Sequence, residues 1–137
     1  MTLFDLTGRT AIITGSSRGI GRAIAERMAE HGARVIISSR KAEACEATAA
    51  AINTARPGHA IAVPANISSK ADLQRLVDTT RERFGPADIL VCNAASNPFY
   101  GPMAELDDAT FRKVLDNNIL ANHWLTHMVA PEMKARG

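Results

Sequence analysis

The chain has 137 residues, the length of one ordinary domain. Its 46% hydrophobic and 22% charged residues match a globular protein in water. A net charge of +2, without a basic run or stripe, argues against nucleic acid or an anionic membrane surface as partner, and no apolar stretch reaches the ~18 residues that a membrane span needs.

Residues 1–8 have neither the basic start nor the apolar centre of a secretory leader, so none is expected. Thr10, Ala11, Ile12, Ile13 and Thr14 form a short apolar run with β-branched residues, closed by Gly15, and read as a buried strand. Ile20, Ala23, Ile24 and Met28 then fall at helical spacing until Gly32 stops the helix. Residues 34–38 repeat the strand character. An Ala- and Glu-rich helix over residues 41–55 ends at Pro57 and Gly58.

Residues 60–63 read as a third strand. Leu73, Leu76, Val77, Thr80 and Phe84 share one helical stripe, broken by Gly85 and Pro86. Ile89, Leu90 and Val91 form a fourth strand, followed by a loop over residues 94–102. A long helical pattern begins near Asp107, with Phe111, Leu115, Leu125 and Val129 on one side. Pro131 cannot donate to the turn before it, so a kink or a helix end is expected there. Four apolar strands alternating with helices predict an α/β fold, a Rossmann-type doubly wound parallel sheet in the order 3-2-1-4.

Thr14, Gly15, Ser16, Ser17, Arg18, Gly19, Ile20 and Gly21 stand between the first strand and the first helix. A diphosphate approaches backbone closely only where side chains are absent, and the helix start offers unpaired N–H groups to the anion. Gly21, inside the helix, lets it pack close to the strand beneath. A strand before the turn and a helix and strand after it are the context that a dinucleotide site requires.

The pattern TGxxxGxG resembles the short-chain dehydrogenase/reductase family. Cys92, Asn93, Ala94 and Ala95 resemble its NNAG stretch, which lines the cofactor cleft. Asn66 and Ile67 resemble its Asp-Val/Ile pair at adenine, and Asn118 matches its active-site Asn. Two departures stand out. Asn66 replaces Asp, although its amide oxygen still accepts hydrogen bonds, and Cys92 and Ala95 replace the first Asn and the Gly of NNAG.

An NAD-binding fold normally carries Asp or Glu after the second strand for the ribose hydroxyls. Here Ser38, Ser39 and Arg40 occupy that place. A guanidinium binds a 2′-phosphate that a carboxylate would repel. The expected cofactor is therefore NADP, with Arg40, Ser39 and Arg18 as phosphate ligands. The full cofactor-binding set is Gly15, Ser17, Arg18, Gly19, Ile20, Gly21, Ser39, Arg40, Asn66, Ile67, Asn93, Ala94 and Ala95.

The resemblance implies an oxidoreductase interconverting a small carbonyl compound and an alcohol, with hydride carried by the cofactor. In the family Asn118 would help relay a proton, alongside Ser and a Tyr-x-x-x-Lys pair. Asn118 shares the spacing of Phe111 and Leu125, so a buried Asn holding nearby backbone is the alternative. Tyr100 is the only Tyr, and Ala104 stands four residues later. Residues 1–137 are thus expected to be the NADP-binding portion of a single-domain enzyme, inactive alone, ending before a fifth strand and leaving the fourth as an open edge.

The run from Asn93 to Gly101 resembles the carbonyl, retinal and 3-oxoacyl reductase branch, with Phe99 and Tyr100 as candidates to border substrate or to pack the loop. His123 and His127 have metal-compatible spacing but no evident third ligand, and no metal is expected. Cys45 and Cys92 form no metal or disulfide pattern, which suits a reducing cytoplasm. A homo-oligomer, dimer or tetramer, is expected of the full-length enzyme. The competing readings are a catalytically silent NADP-binding module and a Rossmann-like methyltransferase, the latter disfavoured because no acidic residue follows the second strand.

Overall fold

In the computed structural model, which describes residues 3–137, strand and helix alternate as the apolar pattern predicts. Met1 and Thr2 of the leading segment lie outside the described residues. The strands are β1 (Thr10–Thr14), β2 (Arg34–Ser38), β3 (Ala60–Ala62) and β4 (Ile89–Val91). They form one parallel sheet in the order β3-β2-β1-β4, with Ile12 opposite both Ile36 and Leu90. The helices are α1 (Gly19–Glu30), α2 (Ala42–Ala55), α3 (Lys70–Phe84), α4 (Asp108–Leu115) and α5 (Ala121–Ala135). A π-helical turn, Asp116–Leu120, joins α4 to α5.

Successive strand side chains point to opposite faces, so each strand feeds two cores. Ala11, Ile13, Val35 and Ile37 pack under α1 and α2 with Ala25, Ala29, Cys45, Ala49 and Ile52. Ile12 and Ile36 pack under α3 and α5 with Leu73, Leu76, Val77, Leu125 and Val129. This two-sided burial is why the strands read as continuous apolar runs rather than alternating ones. The Asn53 side chain locks the start of β3 by bonding both the N–H and the carbonyl of Ala60 at 2.9 Å. The Ser69 hydroxyl caps α3 by accepting from the Asp72 N–H.

Three expectations about helix faces need correction. In α1 the fully buried side is Gly21, Ala25 and Ala29, not the stripe containing Ile20 and Ala23. Ile20 is exposed, and Ile24 and Met28 only flank the core. Small residues at i, i+4 and i+8 let the axis approach the sheet, which bulkier side chains would prevent. In the last segment Leu125 and Val129 are buried, whereas Phe111 and Leu115 are exposed. The π turn holds one more residue than an α turn, so the faces before and after it are offset by roughly one residue, ~100°. Of the kink or helix end expected at Pro131, the end does not occur, because α5 continues through it to Ala135.

Candidate cofactor cleft

The cleft opens where β1 gives way to α1. Gly15 and Gly19 hold φ of +63° and +57°, a region that side-chain-bearing residues rarely adopt. Gly21 has an ordinary φ but no room. A Cβ there would be driven into the Gly15 carbonyl oxygen and would stand 2.5 Å from Asn93 Nδ2. The glycine is thus required by close packing of α1 on its own entry turn.

Hydrogen bonds hold the turn from both sides. The buried Ser16 hydroxyl donates to the Ile13 carbonyl at 2.7 Å and accepts from the Ser38 N–H at 2.9 Å. Thr48 Oγ1 of α2 donates to the Ser17 carbonyl at 3.0 Å. Toward β4, Thr14 Oγ1 accepts from the backbone N–H groups of Asn93 and Ala94. Asn93 Nδ2 returns bonds to the carbonyls of Thr14 and Gly15, both at 3.1 Å. The Thr-Gly pair and the Asn-Ala pair are therefore two halves of one brace.

The cleft has a volume of about 480 Å³. Every residue expected to bind cofactor lines it: Gly15, Ser17, Arg18, Gly19, Ile20, Gly21, Ser39, Arg40, Asn66, Ile67, Asn93, Ala94 and Ala95. Arg18, Arg40 and Lys113 bring three cations to the lining and no Asp or Glu joins them. None of the three takes part in an ion pair among the described residues, in contrast to Arg9, Arg22, Arg75, Arg81 and Arg136. Nor does the first turn of α1 contain an acidic residue. Bare backbone, an open helix start and unneutralised cations fit a polyphosphate ligand.

Two lining residues are already engaged. Ser39 Oγ accepts from the Lys41 N–H at 3.3 Å and lies 3.2 Å from Cys45 Sγ. Asn66 Oδ1 accepts from the N–H and the hydroxyl of Ser68, at 3.0 and 2.7 Å. An amide oxygen has two lone pairs, and here both are used. Asn118 does not line the cleft. It clamps the backbone of Ser96, accepting from its N–H at 2.9 Å and donating to its carbonyl at 2.7 Å.

Sequence reasoning missed Ser96, Lys113 and Asn117, all of which line the cleft. Asn117 is buried and donates through Nδ2 to Ser96 Oγ at 2.8 Å. The i, i+4 spacing of Lys113 and Asn117 was the available signal. Phe99 rests on Gly101, Tyr100 is fully exposed, and neither lines the cleft. Loss of solvent pushes the Cys92 thiol above its ordinary pKa, which disfavours a thiolate at neutral pH. The rings of His123 and His127 stand 4.5 Å apart, and no cluster of three metal-ligating side chains occurs among the described residues.

Residues 9–137 match the family model described as short chain dehydrogenase. Dehydrogenase/reductase SDR family member 4 from Oryctolagus cuniculus is 40% identical over 132 residues, covering 96% of this chain and 50% of that protein. The Homo sapiens protein of the same name is 38% identical over 135 residues, covering 96% of this chain and 47% of its own length. Among solved structures, a hydroxysteroid dehydrogenase from Escherichia coli superposes with TM-score 0.89 at 35% identity, over 98% of this chain and 56% of that one. L-Sorbose reductase from Gluconobacter frateurii, complexed with NADPH and L-sorbose, gives TM-score 0.93 at 29% identity, over 99% of this chain and 51% of that one. The chain spans about half the length of the curated relatives it matches.

Proposed function

The chain belongs to the short-chain dehydrogenase family, and from that premise we propose that it is the NADP(H)-binding portion of an oxidoreductase interconverting a small carbonyl compound and its alcohol. One observation carries the cofactor choice. The lining contains Arg18, Arg40 and Lys113 without a single carboxylate, and Ser39-Arg40 stands where an NAD site would place an acid.

When bound, the dinucleotide supplies the hydride. This chain's residues bind and orient it. The Gly15–Gly21 turn and the N-terminus of α1 receive the diphosphate, and Arg18, Ser39 and Arg40 receive the 2′-phosphate. Asn93, Ala94 and Ala95 form the floor. Ile20, apolar and exposed at the mouth, offers a surface for a flat ring. Asn118 acts here through Ser96, holding the floor in place, and the relay expected of it in the family depends on partners that these 137 residues do not include.

The 137 residues contain no Tyr-x-x-x-Lys pair, so the chain alone is expected to bind NADPH without oxidising it in the presence of ketones or aldehydes. The apolar stripe Phe111, Leu115 and Ile119 supports homo-oligomer formation, and the free thiols Cys45 and Cys92 support a cytoplasmic setting. Titration following the cofactor's own fluorescence tests the central reading. NADPH should bind at least about tenfold more tightly than NADH, the value of one charge-assisted contact. Equal affinities would remove the NADP assignment, and no binding of either would remove the site.

A further inference from the structure

Among the described residues the cleft wall has one buried side-chain polar atom without a hydrogen-bond partner. Asn117 is 6% exposed, its Nδ2 donates to Ser96 Oγ, and its Oδ1 has no donor among the described residues. A buried carbonyl oxygen without a donor is a net cost to the fold, which an apolar side chain of similar size would avoid. The bond to Ser96 accounts for the amide nitrogen and leaves the oxygen without a structural role. Lys113, one turn earlier, lines the cleft as well, so this stretch is cleft wall rather than interior.

The surroundings identify which end of the ligand Asn117 faces. Ala121, four residues on, belongs to the apolar cluster that contains Ala65, Leu73 and Ile67. Ala65, Asn66, Ile67, Ser68 and Leu73 are also the cleft residues contributed by the end of β3 and the start of α3. Asn117 thus shares the cleft wall with residues 65–68. The acceptor expected there is Asn66, whose amide oxygen is already filled by Ser68.

We propose that Asn117 is the residue that recognises the nucleobase, its amide oxygen accepting the exocyclic amino group of adenine in place of Asn66. This rests on the dinucleotide reading of the cleft. In the ligand-free cleft the oxygen is shielded from water, so recognition includes a turn of the amide about χ2 that exposes Oδ1 and loosens the Nδ2 bond to Ser96. The amide can also turn over completely, because the Ser96 hydroxyl donates to a carbonyl as well as it accepts from an amino group. Asn117 should therefore prefer adenine moderately, and an acceptor-only group in its place should prefer adenine more strongly.

The test compares binding of NADPH with binding of reduced nicotinamide hypoxanthine dinucleotide phosphate, in which a carbonyl replaces the amino group. Wild-type chain, Asn117→Asp and Asn117→Leu are titrated by cofactor fluorescence, and the readout is the ratio of the two dissociation constants. The wild type should favour adenine by about fivefold, the size of one neutral hydrogen bond. Asn117→Asp should raise the ratio and Asn117→Leu should bring it close to one. A merely structural role would weaken both ligands equally and leave the ratio unmoved. The same ratio in all three proteins would overturn the assignment while leaving the cofactor site intact. Failure of the wild type to bind NADPH would instead remove the reading beneath it.

Discussion

The two sides of β1 are built to different standards. Toward β2 the pairing runs the full strand, from Thr10 opposite Arg34 to Thr14 opposite Ser38, and four of the five β2 residues are buried. Toward β4 it covers only Ala11, Ile12 and Ile13, and every β4 residue is half-buried. The glycine turn is tied on the closed side by Ser16 to β2 and by Thr48 to α2, and to the β4 side by the Thr14–Asn93 brace. The opposite wall rests on α4 and the π turn, whose outer stripe of Phe111, Leu115 and Ile119 is exposed. The difference teaches that the glycine turn, the proposed diphosphate site, is built into the core of this fold. The β4 wall instead depends on a few polar bonds, those of Asn93 to the turn and those of Asn117 and Asn118 to Ser96.

The largest effect should come from Gly21, where the two sides meet. Gly21→Ala presses a methyl group against a backbone carbonyl and against the Asn93 side-chain amide, which two hydrogen bonds hold in place. A loss of about 3 kcal/mol in unfolding free energy is expected from such overpacking, with NADPH affinity falling at least about 100-fold as the Asn93 brace shifts. Urea denaturation and fluorescence titration measure the two. A variant with a native midpoint and native affinity would break the claim that the cradle is set by this contact.

Next come paired substitutions along the last helical segment. Leu125 is fully buried, so Leu125→Ala should cost ~2–4 kcal/mol. Ile119, six residues earlier and 62% exposed, should cost no more than ~0.5 kcal/mol when changed to Ala. Equal costs would mean that the π turn does not separate an inner from an outer face. A smaller, more selective effect is expected of Ser39→Asp. The carboxylate would stand beside the 2′-phosphate, and at ~4 Å the repulsion is a few kcal/mol. Preference should move toward NADH by about 100-fold with little change in stability. Unaltered NADPH affinity would show that the 2′-phosphate lies elsewhere.

The same division decides what could be read from the sequence. The closed side was legible because its signals are local: apolar β-branched strands, a glycine turn, and a missing acid at the end of β2. Asn93 was legible through the resemblance of residues 92–95 to the family's NNAG stretch, just after the fourth strand. The buried side of α1 was not, because periodicity weighs large apolar residues and the helix packs through Gly21, Ala25 and Ala29. The β4 side was least legible. The π turn is fastened by Asn117 and Asn118 to Ser96, more than twenty residues earlier, and no helical periodicity reports such a contact. Asn118 was singled out and Asn117 was not, yet it is Asn117 that reaches the cleft.

The smallest effect sharpens the contrast by probing how the open side is anchored. Asp107 caps α4, accepting from the Thr110 N–H at 2.7 Å, and that bond, followed by the Thr110 hydroxyl, holds its carboxyl below the ordinary carboxylate pKa. A carboxylate whose folded pKa is depressed contributes stability above its unfolded pKa and loses it as pH falls through the folded value. Protection of the Thr110 amide from hydrogen exchange should therefore decline as the solution is acidified below the usual carboxylate range. Amides of β1 and β2 other than that of Thr10, which donates to the Asp88 carboxylate, should keep theirs over the same window. Asp107→Asn retains an acceptor without a titrating group, so its Thr110 protection should be flat across that pH interval. A wild-type amide that does not titrate, or an Asn variant that titrates like the wild type, would place the acid sensitivity of α4 elsewhere and detach it from this cap.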